Sequence, residues 1–408
     1  MSTTTDTLEK PPIIPAHVKP EQVFEFDIYA DPRVNDDVQG SYAAALRGAP
    51  DIFWTPANGG HWMVQRGDLI TEIVKDYEIF SAREMQIPRV PDPPYMIPLS
   101  VDPPANLPYR AALMPKFSPR EVAKLEPHMR EVATKLIEEV VAKGECDFIR
   151  DISSRFPVSI FMELMGLPLE KLREFRTIAD NYFNARSNED LARLGGQIMG
   201  IFSDLMEIRA KDPRDDLITS LMTTEVDGRV LSRDEILAMC LVLFLGGMDT
   251  VTNVSGFTFQ RLAEEPAVQA RMAADPGLIP QAVEEGIRLH GVICTPRVVV
   301  QDADKHGVSF RTGDMVLNIL SQVGRDNRAN DHADAFNIDR ENKVHLTFST
   351  GPHLCLGHIL ARAEIRILTE EWVKRIPSFR AKPGARHGFR IGTVHALEAL
   401  PLEWDVPA

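Results

Sequence analysis

Cys355 is a thiol whose surroundings suit it to hold a metal. It stands in Phe348-Ser349-Thr350-Gly351-Pro352-His353-Leu354-Cys355-Leu356-Gly357, whose glycines permit tight turns. Apolar residues at Leu356, Leu360, Ala363 and Ile367 then follow at helical spacing. A lone cysteine is most often a small buried hydrophobe. At a helix N-terminus, however, the dipole and the free backbone N–H groups favour an anionic sulfur and temper its donor strength, which is what a thiolate bond to a haem iron requires.

Two groups upstream gain interest from their position relative to Cys355. Glu285 and Arg288 lie three apart on one helix face and can pair, an arrangement common on protein surfaces. Gly246-Gly247-Met248-Asp249-Thr250 interrupts an apolar helical stretch. Each of its glycines costs about 1 kcal/mol relative to alanine, so something must approach the backbone there. The occupant is either a neighbouring helix or a flat cofactor beside an oxygen groove, opened where Thr250 bonds a carbonyl of the preceding turn. His290, His332 and His358 have no metal-spaced partner, and Met162 and Met165 read as core.

These groups need elements to hold them. Ile52 to Thr55 and His61 to Gln65 read as strands around the turn Ala57-Asn58-Gly59-Gly60. Ser118 is placed to cap a helix through about Lys143, and further helices fit Ser159 to Leu164, Leu191 to Ala210 and Ser232 to Glu265. Short β-branched runs follow at Arg297 to Val300 and Met315 to Ile319, then a helix from Leu356 to Arg375 and a terminal strand region ending in PLEWDV. The expectation is a mainly α fold with small β-sheets at both ends of the chain.

The 408 residues, 44% hydrophobic and 25% charged, suit an ordinary globular protein and exclude collagen-like, disulfide-scaffold and charge-driven disordered classes. With 45 basic against 59 acidic side chains the net charge is −14, so nucleic acid is not an expected partner. Cys146, Cys240, Cys294 and Cys355 form no C-x-x-C pair, which points to a reducing cytoplasm. No repeat or linker divides the chain, so residues 1–408 read as one domain, with a flexible N-terminal arm up to about residue 20. The longest apolar run, around Met239 to Met248, is about ten residues against the roughly 20 that span a bilayer, so no membrane anchor is expected.

In their order and spacing, the glycine-interrupted helix, the E-x-x-R pair and the F-x-x-G-x-x-x-C-x-G loop resemble the cytochrome P450 family. The resemblance covers nearly the whole chain. It is closest to the bacterial camphor hydroxylase subfamily, through Asn58-Gly59-Gly60-His61-Trp62, Val101-Asp102-Pro103-Pro104, Phe161-Met162, Gly166-Leu167-Pro168, His353-Leu354-Cys355-Leu356-Gly357 and Ala399-Leu400-Pro401-Leu402.

This resemblance implies a single mainly helical domain enclosing haem b between the Thr250 helix and the Cys355 loop. Cys355 is then the axial iron ligand, Gly246 and Gly247 face the haem, and Arg110, Arg297 and His353 hold its propionates. Asn106 stands where many members have a histidine. Asp249 and Thr250 relay protons to O2, and Glu285 with Arg288 is a structural pair. The implied reaction is monooxygenation of an unactivated C–H bond, with electrons from NADH or NADPH through a ferredoxin reductase and a [2Fe-2S] ferredoxin. A monomer is expected.

Arg110, Lys116, Lys343 and Arg362 form the implied ferredoxin patch, with Leu107 where the camphor enzyme has another arginine. Tyr95, Met96, Leu99, Leu245, Ile293, Thr295 and Val394 form the implied substrate pocket. Pro93-Pro94-Tyr95-Met96-Ile97-Pro98 is one residue shorter than in the camphor enzyme, which favours an apolar norisoprenoid of the ionone type over camphor. Camphor itself, or thiolate-haem chemistry of the peroxygenase or isomerase type, are the alternatives.

Overall fold

The computed structural model describes residues 14–90, 95–185 and 187–406. Helices dominate it, and the longest, Arg233–Ala263, runs through the centre. Ser232 starts this helix by accepting from the Glu235 N–H, while the Glu235 carboxylate reaches back to the Ser232 N–H. Buried residues on several faces, among them Met239, Phe244, Met248, Val254 and Phe259, mark it as a core helix. An 18-residue window of it reaches a mean hydropathy of 1.7, enough to cross a membrane by length and composition, yet 56% of that window is buried inside the protein. The apolar run of about ten residues lies inside this window, whose mean stays high across the scattered polar residues that flank it.

Around this axis lie Pro119–Val141, Phe156–Met165, Asn188–Lys211 and Ile279–Leu289, with the cysteine-side helix His358–Arg375 packed along Pro119–Val141. Ser118 caps Pro119–Val141 as its residue type predicts. The helix Leu172–Asn184 has no counterpart in the sequence reading.

The largest sheet has five strands in the order Ile52–Thr55, His61–Val64, Met315–Asn318, Thr295–Val299 and Phe80–Ser81. The first two pair antiparallel about Asn58, whose φ of 53° fits a tight turn. Pro401–Glu403 joins Glu145–Asp147 and Arg380–Ala381 in a second sheet. Residues 14–20 are not a loose arm: Val18 is buried and His17 Nε2 lies 2.9 Å from Asp314 Oδ2. The first thirteen residues lie outside the described part.

Candidate active site

The loop before Cys355 is fixed by the turns its glycine spacing announced. Ser349 and Gly351 take φ values of 59° and 67°, and the Cys355 N–H closes the loop onto Phe348 O at 2.9 Å. Thr347 Oγ1 donates to Ile287 O at 2.7 Å, tying the loop to the E-x-x-R helix. Arg362 lies over the Phe348 ring, 4.5 Å from its centre.

The helix begins at His358, not at Leu356. Cys355 therefore stands ahead of the N-cap Gly357, and the Gly357 N–H bonds its sulfur. Burial raises the Cys355 thiol, while Gly357, Arg110 and Arg362 act in the opposite direction. Cys146, Cys240 and Cys294 are closely packed, whereas Cys355, though deep in the protein, leaves its surface open to a cavity that Cys294 also borders.

That cavity is about 670 Å³ and runs from the Cys355 loop to the central helix. Of the expected pocket residues, Met96, Leu99, Leu245, Ile293, Thr295 and Val394 line it. Tyr95 does not: it is 60% exposed and lies outside the cavity wall. Its placement in the pocket is corrected, and the neighbouring Pro93-Pro94 lie outside the described residues.

One end of the cavity is cationic. Arg297 is 2% exposed, and its Nη1 donates to neutral acceptors, the oxygens of Thr295 and Pro296 at 3.0 and 2.7 Å and Met85 Sδ at 3.9 Å. Burial lowers its pKa to about 10. Arg110 donates to Leu354 O at 2.7 Å. Neither arginine has an ion-pair partner among the described residues. His353 is buried with Nε2 unbonded, and burial together with Arg297 and Arg110 holds its pKa to about 3. Asn106, fully buried, makes only a 3.5 Å contact to Pro352 O.

The two glycines of the central helix serve different neighbours. A Cβ on Gly246 would meet nothing within 4 Å, whereas one on Gly247 would lie 2.3 Å from the Phe161 ring. Gly246 thus leaves the cavity wall open, and Gly247, which also lines the cavity, admits the helix Phe156–Met165. Thr250 Oγ1 donates to Gly246 O at 2.7 Å and lines the cavity. Asp249 is 1% exposed and not part of the wall. It bonds Arg176 at 3.0 Å and Arg390 at 2.7 Å, from the helix Leu172–Asn184 and the strand Phe389–Arg390.

Glu285 and Arg288 are a fully buried pair rather than a surface one. Arg288 donates to both Glu285 oxygens at 2.8 Å and to the carbonyls of Gly324, Ala333 and Ala335. Glu285 also accepts from the Asn337 N–H at 2.9 Å. The pair clamps the 324–340 segment against its helix.

The expected basic patch is largely spent within the molecule. Lys116 pairs with Asp215 at 2.8 Å, Arg362 holds Glu284 through two 2.8 Å bonds, and Lys343 donates to Arg340 O at 2.6 Å. Each of these three has a nearby acceptor that the sequence does not reveal. Sequence reasoning also missed Arg176 and Arg390, which sit far from Asp249 in the chain with no local motif to mark them.

Comparison with known proteins agrees with this geometry. The cytochrome P450 family model matches residues 152–275 and 277–380. Probable cytochrome P450 127A1 of Sinorhizobium fredii is 30% identical over 403 residues, 96% of this chain and 97% of that protein. Steroid C26-monooxygenase of Mycolicibacterium smegmatis is 30% identical over 82% of this chain and 85% of its own. The crystal structure of CYP101J2 superposes with a TM-score of 0.88 at 34% identity, covering 97% of this chain and all of that one. That of CYP101C1 gives 0.88 at 32% identity, over 96% and 100%. The chain belongs to the cytochrome P450 family and is a cytochrome P450 monooxygenase, of the class that uses haem b and O2 with electrons passed from NAD(P)H through redox partners.

Proposed function

We propose that this enzyme hydroxylates an unactivated C–H bond of a small apolar terpenoid-like molecule, with Cys355 as the thiolate ligand of the haem iron. The observation that carries the haem assignment is the cationic end of the cavity. Two arginines without acidic partners and an imidazole with an unbonded nitrogen surround the same space as Cys355. Buried and half-buried cations call for an anion, and the two propionates of haem b would supply it, held by charge-assisted hydrogen bonds from Arg110, Arg297 and His353. When bound, haem b supplies the iron chemistry that activates O2.

The chain's own residues then divide the work. Gly246 keeps the helix face open. Thr250 directs its hydroxyl proton to Gly246 O, which leaves the oxygen lone pairs free to accept a proton from a cavity donor and pass another on. Asp249 has to release Arg176 or Arg390 before its carboxylate can take up a proton from solvent and hand it on. Thr250→Ala is expected to keep substrate binding and NADH consumption while diverting much of the reducing power to peroxide. Coupling that stays at the wild-type level would reduce Thr250 to a helix-bending residue.

Met96, Leu99, Leu245, Ile293 and Val394 give the pocket an apolar lining, and the Thr295 hydroxyl already accepts from Arg297. With Tyr95 outside, no tyrosine hydroxyl from that segment reaches a ketone, which favours a norisoprenoid of the ionone type over camphor. The likeness to CYP101J2 and CYP101C1 supports a camphor-type relationship. The reading further assigns a [2Fe-2S] ferredoxin with its reductase as electron source and a cytoplasmic location.

One observation favours the peroxygenase alternative: Asp249 is held by two arginines and turned from the cavity. Turnover of β-ionone with NADH, ferredoxin, ferredoxin reductase and O2 is therefore compared with turnover driven by hydrogen peroxide. The reductant system is expected to be the productive one, with a red-shifted absorption band in the reduced, CO-bound protein. Product from peroxide alone would favour the alternative.

A further inference from the structure

One wall of the cavity is made where two segments distant in sequence meet. Ile293 and Val394 form an isolated antiparallel bridge, flanked by bonds from the Cys294 N–H to Thr393 O at 2.9 Å and from the His395 N–H to Val292 O at 2.8 Å. The neighbouring hairpin pairs only two residues per strand, Phe389–Arg390 with Ala396–Leu397. So short a ladder holds weakly by itself.

Behind it the side chains form a polar cluster in an apolar setting. Cys294, His395, Tyr42 and Ser321 are each at most 1% exposed. Cys294 Sγ lies 3.5 Å from Ser321 Oγ and 3.9 Å from His395 Nε2, and the rings of Tyr42 and His395 are 4.6 Å apart. Ser321 is anchored in turn, its N–H donating to Ile293 O at 3.0 Å. Cys294 thus joins three segments at the point where Ile293, Thr295 and Val394 meet the cavity.

We infer that Cys294 is a positioning residue for the substrate: with His395 and Ser321 it locks the 293–295 segment to the 393–395 segment and so fixes the wall against which the substrate rests. This inference rests on the monooxygenase reading of the cavity. Burial raises the Cys294 thiol to about 11 and lowers His395 to about 3, so the lock is a neutral thiol–imidazole contact at working pH. Charged groups also stand near this wall: Arg297 donates to Thr295 Oγ1 at 3.0 Å, and Arg390 lines the same cavity. Wild-type ligand affinity should accordingly not follow titration of this pair between pH 6 and about 9.

The test uses the haem-loaded enzyme with imidazole and 4-phenylimidazole as probes, since both bind haem iron and only the second is large enough to press on the wall. Cys294→Ala should keep haem content and the reduced CO band and leave the imidazole dissociation constant unchanged. It should weaken 4-phenylimidazole about three- to tenfold, the effect of one lost net hydrogen bond. Cys294→Ser should restore most of the affinity. Backbone hydrogen exchange gives a readout independent of the haem: protection of the Cys294 and His395 amides should fall in the alanine variant and recover in the serine variant.

Unchanged phenylimidazole binding and exchange in Cys294→Ala would overturn the lock, and so would equal losses in the alanine and serine variants, which would indicate cavity volume alone. Should Cys294→Ala fail to take up haem, Tyr42→Phe and the exchange measurement decide: amides as protected in Cys294→Ala as in wild type overturn the proposal. A wild-type protein without the red-shifted CO band would instead count against the haem-thiolate reading itself.

Discussion

The cysteine side of the molecule and the substrate side are built on different terms. Behind Cys355, charges are matched: Glu285 with Arg288 and Asn337, Glu284 with Arg362 and His345, Thr347 with the Ile287 carbonyl. The substrate wall instead rests on one bridge, two backbone bonds and a thiol contact. A cofactor ligand must not move, and saturated buried networks give a single arrangement because every alternative leaves a charge unpaired. A pocket that selects among apolar molecules needs only shape, which packing and a few neutral contacts supply.

The comparison is broken most completely at the sulfur. Cys355→Ser is expected to abolish the red-shifted CO band and monooxygenation, because a serine oxygen is a poor donor at neutral pH, while Cys146→Ser and Cys240→Ser retain both. A band that survives in Cys355→Ser and vanishes in another variant would move the ligand elsewhere.

Next in size is the buried pair. Arg288→Ala leaves the Glu285 carboxylate in a site with no exposure, with only Arg340 at 3.3 Å to balance it. The expected loss is about 3 to 5 kcal/mol in urea unfolding, with poor haem uptake. Arg193→Ala, which removes an exposed i,i+3 partner of Asp190, should leave the urea midpoint close to that of the wild type. Equal losses at the two sites would erase the distinction between cage and surface.

A smaller effect is set by pH. Burial alone would raise the Glu284 carboxyl, but bonds from Arg362 and His345 hold it at about 2, below its ordinary 4.5. A depressed carboxylate stabilises the fold above its unfolded pKa, and the contribution disappears as pH falls through the folded value. Acid unfolding should therefore take stability from the cysteine side between about pH 4.5 and pH 2, and Glu284→Gln should flatten that part of the curve. An unaltered profile in Glu284→Gln would show that other carboxylates govern acid sensitivity.

What the sequence disclosed follows the same division. The Cys355 loop, the Ser118 and Ser232 caps and the Asn58 turn were legible because local chemistry fixes them within a few residues. Asp249 was legible, but not its two arginines, which arrive from residues 176 and 390 through tertiary packing. Gly246 and Gly247 looked alike as a pair and both line the cavity, and only the position of Phe161 shows that Gly247 is also a packing contact. The acceptors of Lys116 and Arg362, Asp215 and Glu284, were not legible because they carry no signal of proximity in the chain.

The smallest expected effect tests the substrate side at its outer boundary. Tyr95 is 60% exposed, while its neighbour Met96 is buried, its N–H donating to Ser100 Oγ at 2.9 Å. One side chain therefore faces solvent and the next faces the cavity. Removing an exposed hydroxyl changes stability by no more than about 0.5 kcal/mol, and a group outside the wall contributes nothing to a ligand inside it. Tyr95→Phe should leave the dissociation constants and spin-state shifts of camphor and β-ionone within about twofold of wild type, since 0.4 kcal/mol corresponds to roughly that factor. Met96→Ala should weaken β-ionone by about tenfold, because shortening a side chain that lines the pocket removes apolar contact worth more than 1 kcal/mol. Tight camphor binding that disappears in Tyr95→Phe would mean that the segment around residue 95 folds over the bound ketone, and the preference for an ionone-type substrate would fall with it.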